Sequence, residues 1–272
     1  MDGPSMEISG SSVNVSQDGD KLVDGSVEQM VDAVLKRIEK KPSCGILPDG
    51  VKLWAERGST IGLGIEVAAG PRVVDWITDD SEEPFGPGAK YEQRYLSFPY
   101  IEILIVLHEG RQTNFQQLFY RREPIHGGKN GEDLLLPNLL NVSPNAYEQL
   151  AWLCLAQMPS VRRYSWPRKV RAVVDHTFSA AFNRSSEMHE GSSYWKEMAG
   201  IDRRVKTVET WEKSTHDNRY FALDVDWKSA GTTASAQLGA MLDHVTKVKP
   251  ISTATDLCSA MVSSGKPTRS RR

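Results

Sequence analysis

The chain has 272 residues, enough for one large domain or one domain with long extensions. Its formal net charge of −2 gives no electrostatic reason for a nucleic-acid or membrane partner, and no apolar run reaches the roughly 20 residues that a membrane span needs. The polar, acidic start (MDGPSMEISGSSVNVSQDGD) does not read as a secretory signal, and the three cysteines, Cys44, Cys154 and Cys258, match neither zinc spacing nor a disulfide framework. A reducing cytoplasm fits this usage best.

Residues 1–22 are rich in Ser, Gly and Asp, and 247–272 end in a short basic cluster. Neither segment holds enough apolar surface to offset its ordering entropy, so both are expected to be disordered tails. Val27, Met30, Val31, Val34, Leu35 and Ile38 then fall at helical spacing. Ser26 and Gln29 stand in front as a capping-box pair, and Pro42 and Gly45 close the segment.

Strand-like runs follow at 51–58 and 60–68, separated by Gly58-Ser59, with a further short strand at Val73 to Ile77. Residues 79–90 read as a polar loop rich in Pro and Gly. The stretch YLSFPYIEILIVLHEG (95–110) carries a long Ile/Leu/Val run, the mark of a central strand buried on both faces. A turn at Gly110 to Thr113 leads to another strand at Phe115 to Tyr120. Short turns between consecutive strands imply an antiparallel meander of about four strands.

Beyond Cys154 the pattern turns helical. Ser165-Trp166-Pro167 offers an N-cap with Pro in the first turn, and Val170, Val173, Val174, Phe178, Ala181 and Phe182 recur at helical spacing. Residues 183–193 interrupt the pattern. Ile201, Val205, Val208 and Trp211 suggest another helix. Phe221, Leu223, Val225 and Trp227 alternate as in a strand, and 234–246 could form a weak last helix. Strands first and helices later predict an α+β domain with helices packed on an antiparallel sheet.

The sharpest chemical signal is Cys154, in an irregular segment behind a Pro/Asn-rich stretch. A nucleophilic thiol needs solvent access, stabilisation of its charge and donors for an oxyanion, and a neutral Asn amide is a suitable donor. The alternative is a buried structural cysteine, a common fate for a free thiol. His108, at the end of the central strand, reads as a strand-end hydrogen-bonding group. His126 and His176 are possible partners for a thiol hydrolase, although nothing in the spacing demands a Cys-His pair. Arg121-Arg122 read as a strand end, and Tyr120 and Tyr147 flank the cysteine segment. Gly62-x-Gly64 lacks the remaining elements of a dinucleotide fingerprint.

The order of these parts resembles the ubiquitin-conjugating (E2) superfamily, and in particular its divergent bacterial members. The resemblance rests on Ser143-Pro144-Asn145, then Leu153-Cys154-Leu155, then Trp166-Pro167, and on SYWKEMAGIDRRVKTVETWEKS (193–214) as a late helix. Leu35-Lys36-Arg37-Ile38 and Leu53-Trp54 occupy the matching places at the front. The family His is Ser143 here, residues 126–141 look longer than the family loop, and Leu136-Pro137-Asn138 is a second Pro-Asn pair. The resemblance implies a UBC-like domain over 23–215, an extension over 216–246 and a tail over 247–272. It also implies that Cys154 forms a thioester with the C-terminus of a ubiquitin-like protein and passes it to an amine. The supporting asparagine is Asn145 by interval and Asn141 by its Asn-Val setting. Implied partners are a ubiquitin-like protein, an E1-like adenylating enzyme and a JAB-type isopeptidase, with no ATP, metal or organic cofactor. A catalytically silent scaffold of the same fold is the alternative.

Overall fold

The computed structural model describes residues 5–17, 20–28, 47–125, 133–145, 149–155, 163–198 and 200–246. The chain divides into two compact units, one of residues 1–43 with 246–272 and one of residues 44–245. In the first unit, β1 (Ser5–Ser9), β2 (Ser12–Gln17) and β3 (Asp20–Ser26) form a three-stranded antiparallel sheet. Residues expected to be a disordered tail are therefore ordered as strands. Val13 and Val15 are fully buried, and their alternation with polar neighbours supplies the apolar face. Of the helix expected after Ser26, only Val27 and Glu28 fall within the described residues. Cys44, His126, Tyr147 and Cys258 lie outside them.

The second unit is built on a curled eight-stranded antiparallel sheet. Its main path is β11 (Val142–Ser143), β12 (Trp152–Leu153), β9 (Arg111–Arg121), β8 (Tyr100–His108), β5 (Thr60–Val67) and β4 (Val51–Arg57). Off this path, β10 (Asp133–Leu135) pairs with β9 and with β13 (Ser229–Thr233). A separate two-stranded sheet joins β6 (Gly70–Ile77) and β7 (Tyr91–Phe98). The five helices among the described residues are α1 (Trp166–Ser179), α2 (Ser185–Glu190), α3 (Tyr194–Met198), α4 (Val208–Asp217) and α5 (Ala234–Thr246).

This architecture overturns the UBC-like expectation, and with it the assignment to the ubiquitin-conjugating family. A four-stranded meander with trailing helices does not describe it. The main cause is Pro99, which splits the 95–110 run between two sheets. Proline has no N–H to donate to a ladder and ends β7 at Phe98. β7 pairs back on β6 as an independent hairpin, while β8 enters the main sheet between β5 and β9. Four short strands after β9 then widen the sheet, and their two to five residues are too few for a period to show. The 221–227 alternation is not a strand either. Phe221–Asp224 is a 3-10 turn, and Trp227 folds back so that Nε1 donates to the Ala222 carbonyl at 2.8 Å.

Helices cover both faces of the sheet. On one face α1 lies against β4, with Trp166 edge-on to Trp54 at 4.5 Å between ring centroids. On the other, α5 sits over Gly62, where an added Cβ would fall 2.9 Å from Leu238 Cδ1. The hairpin β6–β7 is closed by α4, whose Trp211 is fully buried beside Phe98 and Trp76 and donates Nε1–H to the Ser97 carbonyl at 2.8 Å. The capping box of α4 is Thr207 with Thr210, and this helix replaces the longer one read from Ile201 to Trp211.

β8 is buried on both faces, as its apolar run predicts, and it carries one acid. Glu102 is fully buried opposite Glu66, and among the described residues neither of its carboxyl oxygens has a hydrogen-bond partner. Burial pushes its pKa from 4.5 up to about 8; the Arg121 and Lys52 charges only partly oppose this, and Glu66 adds to it. Between pH 4.5 and 8 the folded state therefore holds a proton that the unfolded chain has released. Stability should fall as pH rises through that window and level off above it. Glu102→Gln should flatten this slope and raise stability at pH 8, by several kcal/mol at most, given roughly 1.4 kcal/mol per pKa unit. Urea unfolding at a series of pH values checks this, and an unchanged slope in the variant would place the pH dependence elsewhere.

Candidate functional site

Cys154 follows β12 directly, and it is free and half-buried. The ribbon pairs Val142 with Leu153 and Ser143 with Trp152. That register continues one step further, because the Cys154 N–H donates to the Asn141 carbonyl at 2.8 Å. Val142 and Leu153 point into the apolar core. By the alternation of a β-ladder, Asn141, Ser143 and Cys154 then share the other side.

That side is polar and mostly closed to solvent. Asn141, Ser143 and Ser186 are fully buried, and Ser185 is 6 % exposed. Among the described residues, the Asn141 amide and the hydroxyls of Ser143, Ser185 and Ser186 have no well-aligned hydrogen-bond partner. Unpartnered polar atoms of this kind are rare in folded proteins, and these are free to bond a water or a bound group. The two serines come from the first turn of α2, set by the Ser185 N–H donating to Asn183 Oδ1 at 3.0 Å. Gly191 ends that helix in the left-handed conformation at φ 75°.

The thiol itself is held protonated. Burial raises its pKa above the ordinary value, Ser185 against the sulfur opposes this, and the Glu190 carboxylate raises it further. Among the described residues, no histidine acts on the thiol.

The cysteine segment is strapped down by glutamines. Gln117 on β9 is fully buried, and its Oε1 accepts both the Ala151 N–H and Gln237 Nε2–H of α5, each at 3.2 Å. Gln116 Nε2 donates to the Leu153 carbonyl at 2.7 Å, and the Ala151 carbonyl accepts from the Leu118 N–H at 3.0 Å. Tyr194 of α3 donates its hydroxyl to the Leu150 carbonyl at 2.6 Å. None of these residues is singled out by the sequence. The only trace is the pair Gln116-Gln117 inside the otherwise apolar run Phe115 to Tyr120.

Of the two asparagines read from the sequence, the structure brings Asn141 to the cysteine. Asn145 closes a turn, its N–H donating to the Gln149 carbonyl at 3.1 Å and its Oδ1 accepting from the Gln149 N–H at 3.3 Å. His108 is tied to Thr60 across the strand end, with Nδ1 2.9 Å from the hydroxyl. His176 lies in the last turn of α1, where its carbonyl accepts the Ala180 N–H. Tyr120 is fully buried, with its hydroxyl donating to Asn138 Oδ1 at 3.3 Å. Arg121 is buried and Arg122 pairs with Asp226.

Among the described residues there is no group of three or more His, Cys, Asp or Glu able to hold a metal ion, and no helix is long and apolar enough to cross a membrane. Gln117→Leu should leave the Ala151 N–H unpaired in the interior and cost about 1–3 kcal/mol. It should also speed the reaction of Cys154 with a thiol reagent severalfold by loosening the strap. Denaturant melts and reagent kinetics together check this, and an unchanged rate would show that the strap does not control access. Compared with known protein families, curated proteins and solved structures, the chain matches none.

Proposed function

We propose that Cys154 carries an acyl group as a thioester, taken from the activated C-terminus of a ubiquitin-like protein and passed to an amine. The observation that carries this reading is a half-buried free thiol whose backbone is fixed by Asn141 and whose polar side bears a neutral amide with no partner among the described residues. These surroundings support an acyl carrier, and the ubiquitin-like donor is carried forward from the sequence expectation as part of the proposal. An E1-like adenylating enzyme would present the donor as a thioester on its own cysteine. Cys154 sulfur attacks the donor carbonyl, the donor thiolate leaves, and the proton of Cys154 passes to that leaving thiolate. In the second step an amine nitrogen attacks the new thioester, forms an amide, loses a proton and returns Cys154 to its thiol form. Neutral donors suit such chemistry because they stabilise an oxyanion without adding a charge that must be desolvated.

The raised thiol pKa sets the pH behaviour. The thiolate fraction at neutral pH is small, so loading from a synthetic peptide thioester ending in Gly-Gly should keep rising as pH increases through 7 to about 9. Glu190→Gln removes the carboxylate that raises the pKa and should speed loading severalfold at pH 7.5. Mass spectrometry should find a thiol-labile adduct on Cys154 that is absent from Cys154→Ala. An adduct of equal yield in Cys154→Ala would sink the proposal.

A second reading, a binding protein without covalent chemistry, is favoured by the same raised pKa. The loading experiment separates the two, because that reading predicts no adduct at any pH.

A further inference from the structure

A groove of about 800 Å³ lies between the end of β5 and α1. This is the size range of small-molecule sites. Its apolar wall is formed by Ile65, Val67, Val170 and Val174, and Arg72, Arg168 and Arg171 open onto it. None of these arginines forms an ion pair among the described residues.

Three carboxylates also line the groove, but they do not cancel the arginines. Glu66 is committed to Lys52 Nζ at 3.5 Å and to the Ile125 N–H. Asp49 and Asp175 stand exposed at the rim. Arg72 is the least hydrated of the cations. Its guanidinium lies over the Phe178 ring, 4.7 Å from the centroid, and one terminal nitrogen donates to the Ala68 carbonyl at 3.2 Å. Its Nε is enclosed, with no hydrogen-bond partner among the described residues. Burial pulls its pKa below the ordinary arginine value, as happens when a cation is shielded from water and no carboxylate compensates. The start of α1 adds to the positive potential: its first turn has no acidic residue, and the Ser165 side chain makes no capping bond.

We propose that this groove binds a small anionic molecule, phosphate- or carboxylate-bearing, through the Arg72 guanidinium, with Arg168 and Arg171 at its mouth. A planar guanidinium matches either oxyanion in a two-point contact and gives the unpartnered Nε–H an acceptor. The apolar wall then receives the carbon skeleton of the ligand. This site is independent of Cys154.

The test is a titration of the full chain at low salt with tripolyphosphate and, separately, with citrate, followed by calorimetry. Trp166 fluorescence is a second readout, since that residue lies between Ser165 and Pro167 of the groove wall. One saturable site is expected for at least one probe, weakened about tenfold in Arg72→Gln as a charge-assisted two-point contact is lost. Arg171 is exposed and forms no ion pair among the described residues, so Arg171→Ala should fold normally and weaken binding about threefold through lost long-range attraction. Binding of tripolyphosphate alone assigns a phosphate ligand, and of citrate alone a carboxylate. If neither probe saturates, or if Arg171→Ala and a folded Arg72→Gln bind like the wild type, the proposal is wrong. Should Arg72→Gln fail to fold, the Arg171→Ala result decides.

Discussion

The structure around the thiol depends on one buried amide, that of Gln117. Its backbone lies in β9, opposite Leu104 of the central strand on one side and Trp152 of the cysteine ribbon on the other. Its side-chain oxygen serves two donors at once, the Ala151 N–H and the amide of Gln237. A two-residue strand such as β12 makes too few ladder bonds to hold a loop by itself. The side chain supplies what the ladder lacks, and it ties the C-terminal helix to the same point. Cys154 is positioned by this junction and by the Asn141 carbonyl, not by a helix or by a long strand.

The face that Gln117 shares has an unusual composition, and the reason is spatial. Gly62 and Gly64 alternate on β5, where a central strand would ordinarily present large side chains. The first opening admits Leu238 and Leu242 of α5, and the second admits the Glu102 carboxyl, since a Cβ on Gly64 would fall 2.6 Å from its Oε1. The glycines weaken the strand locally, and the helix and the acid fill the space they leave. A neutral, protonated Glu102 is tolerable in such a place because a carboxylic acid costs far less to bury than a carboxylate.

The sequence makes these features legible to different degrees. The central strand from Tyr100, the helix from Trp166 and the helix over 234–246 all carry periods long enough to read. The sheet topology is hidden because Pro99 sits inside what looks like one apolar run. Its effect depends on where each flanking strand finds a partner, which is a long-range matter. The order Pro-Asn, Cys, Trp-Pro is genuine, but order alone does not specify a fold, and here it occurs on a different sheet. Cys154 could be named as a single cysteine behind a Pro/Asn-rich stretch, and Asn141 only through its Asn-Val setting, which carries no information on the ribbon that joins them. Gln116, Gln117 and Tyr194 could not, because each acts through a backbone group more than thirty residues away.

The electrostatics of the thiol and of the groove follow opposite designs, and the contrast bears on how each would work. The polar side of the cysteine ribbon carries the Asn141 amide and the Ser143 hydroxyl, Ser185 acts on the sulfur, and among the described residues the charge that acts on the thiol is the carboxylate of Glu190. Such a setting keeps the proton on sulfur, so an acyl carrier of this kind stays unreactive until a partner brings a leaving thiolate able to accept that proton. The chain would supply position and the partner would supply activation. Around Arg72 the charge is permanent and half-desolvated, which suits a ligand that arrives already ionised. A thiol waiting for a proton acceptor and a guanidinium waiting for an anion need no communication with each other. A substitution at Glu190 should therefore leave the groove's affinity unchanged, and a charge removed at Arg171 should leave the pH profile of the thiol unchanged.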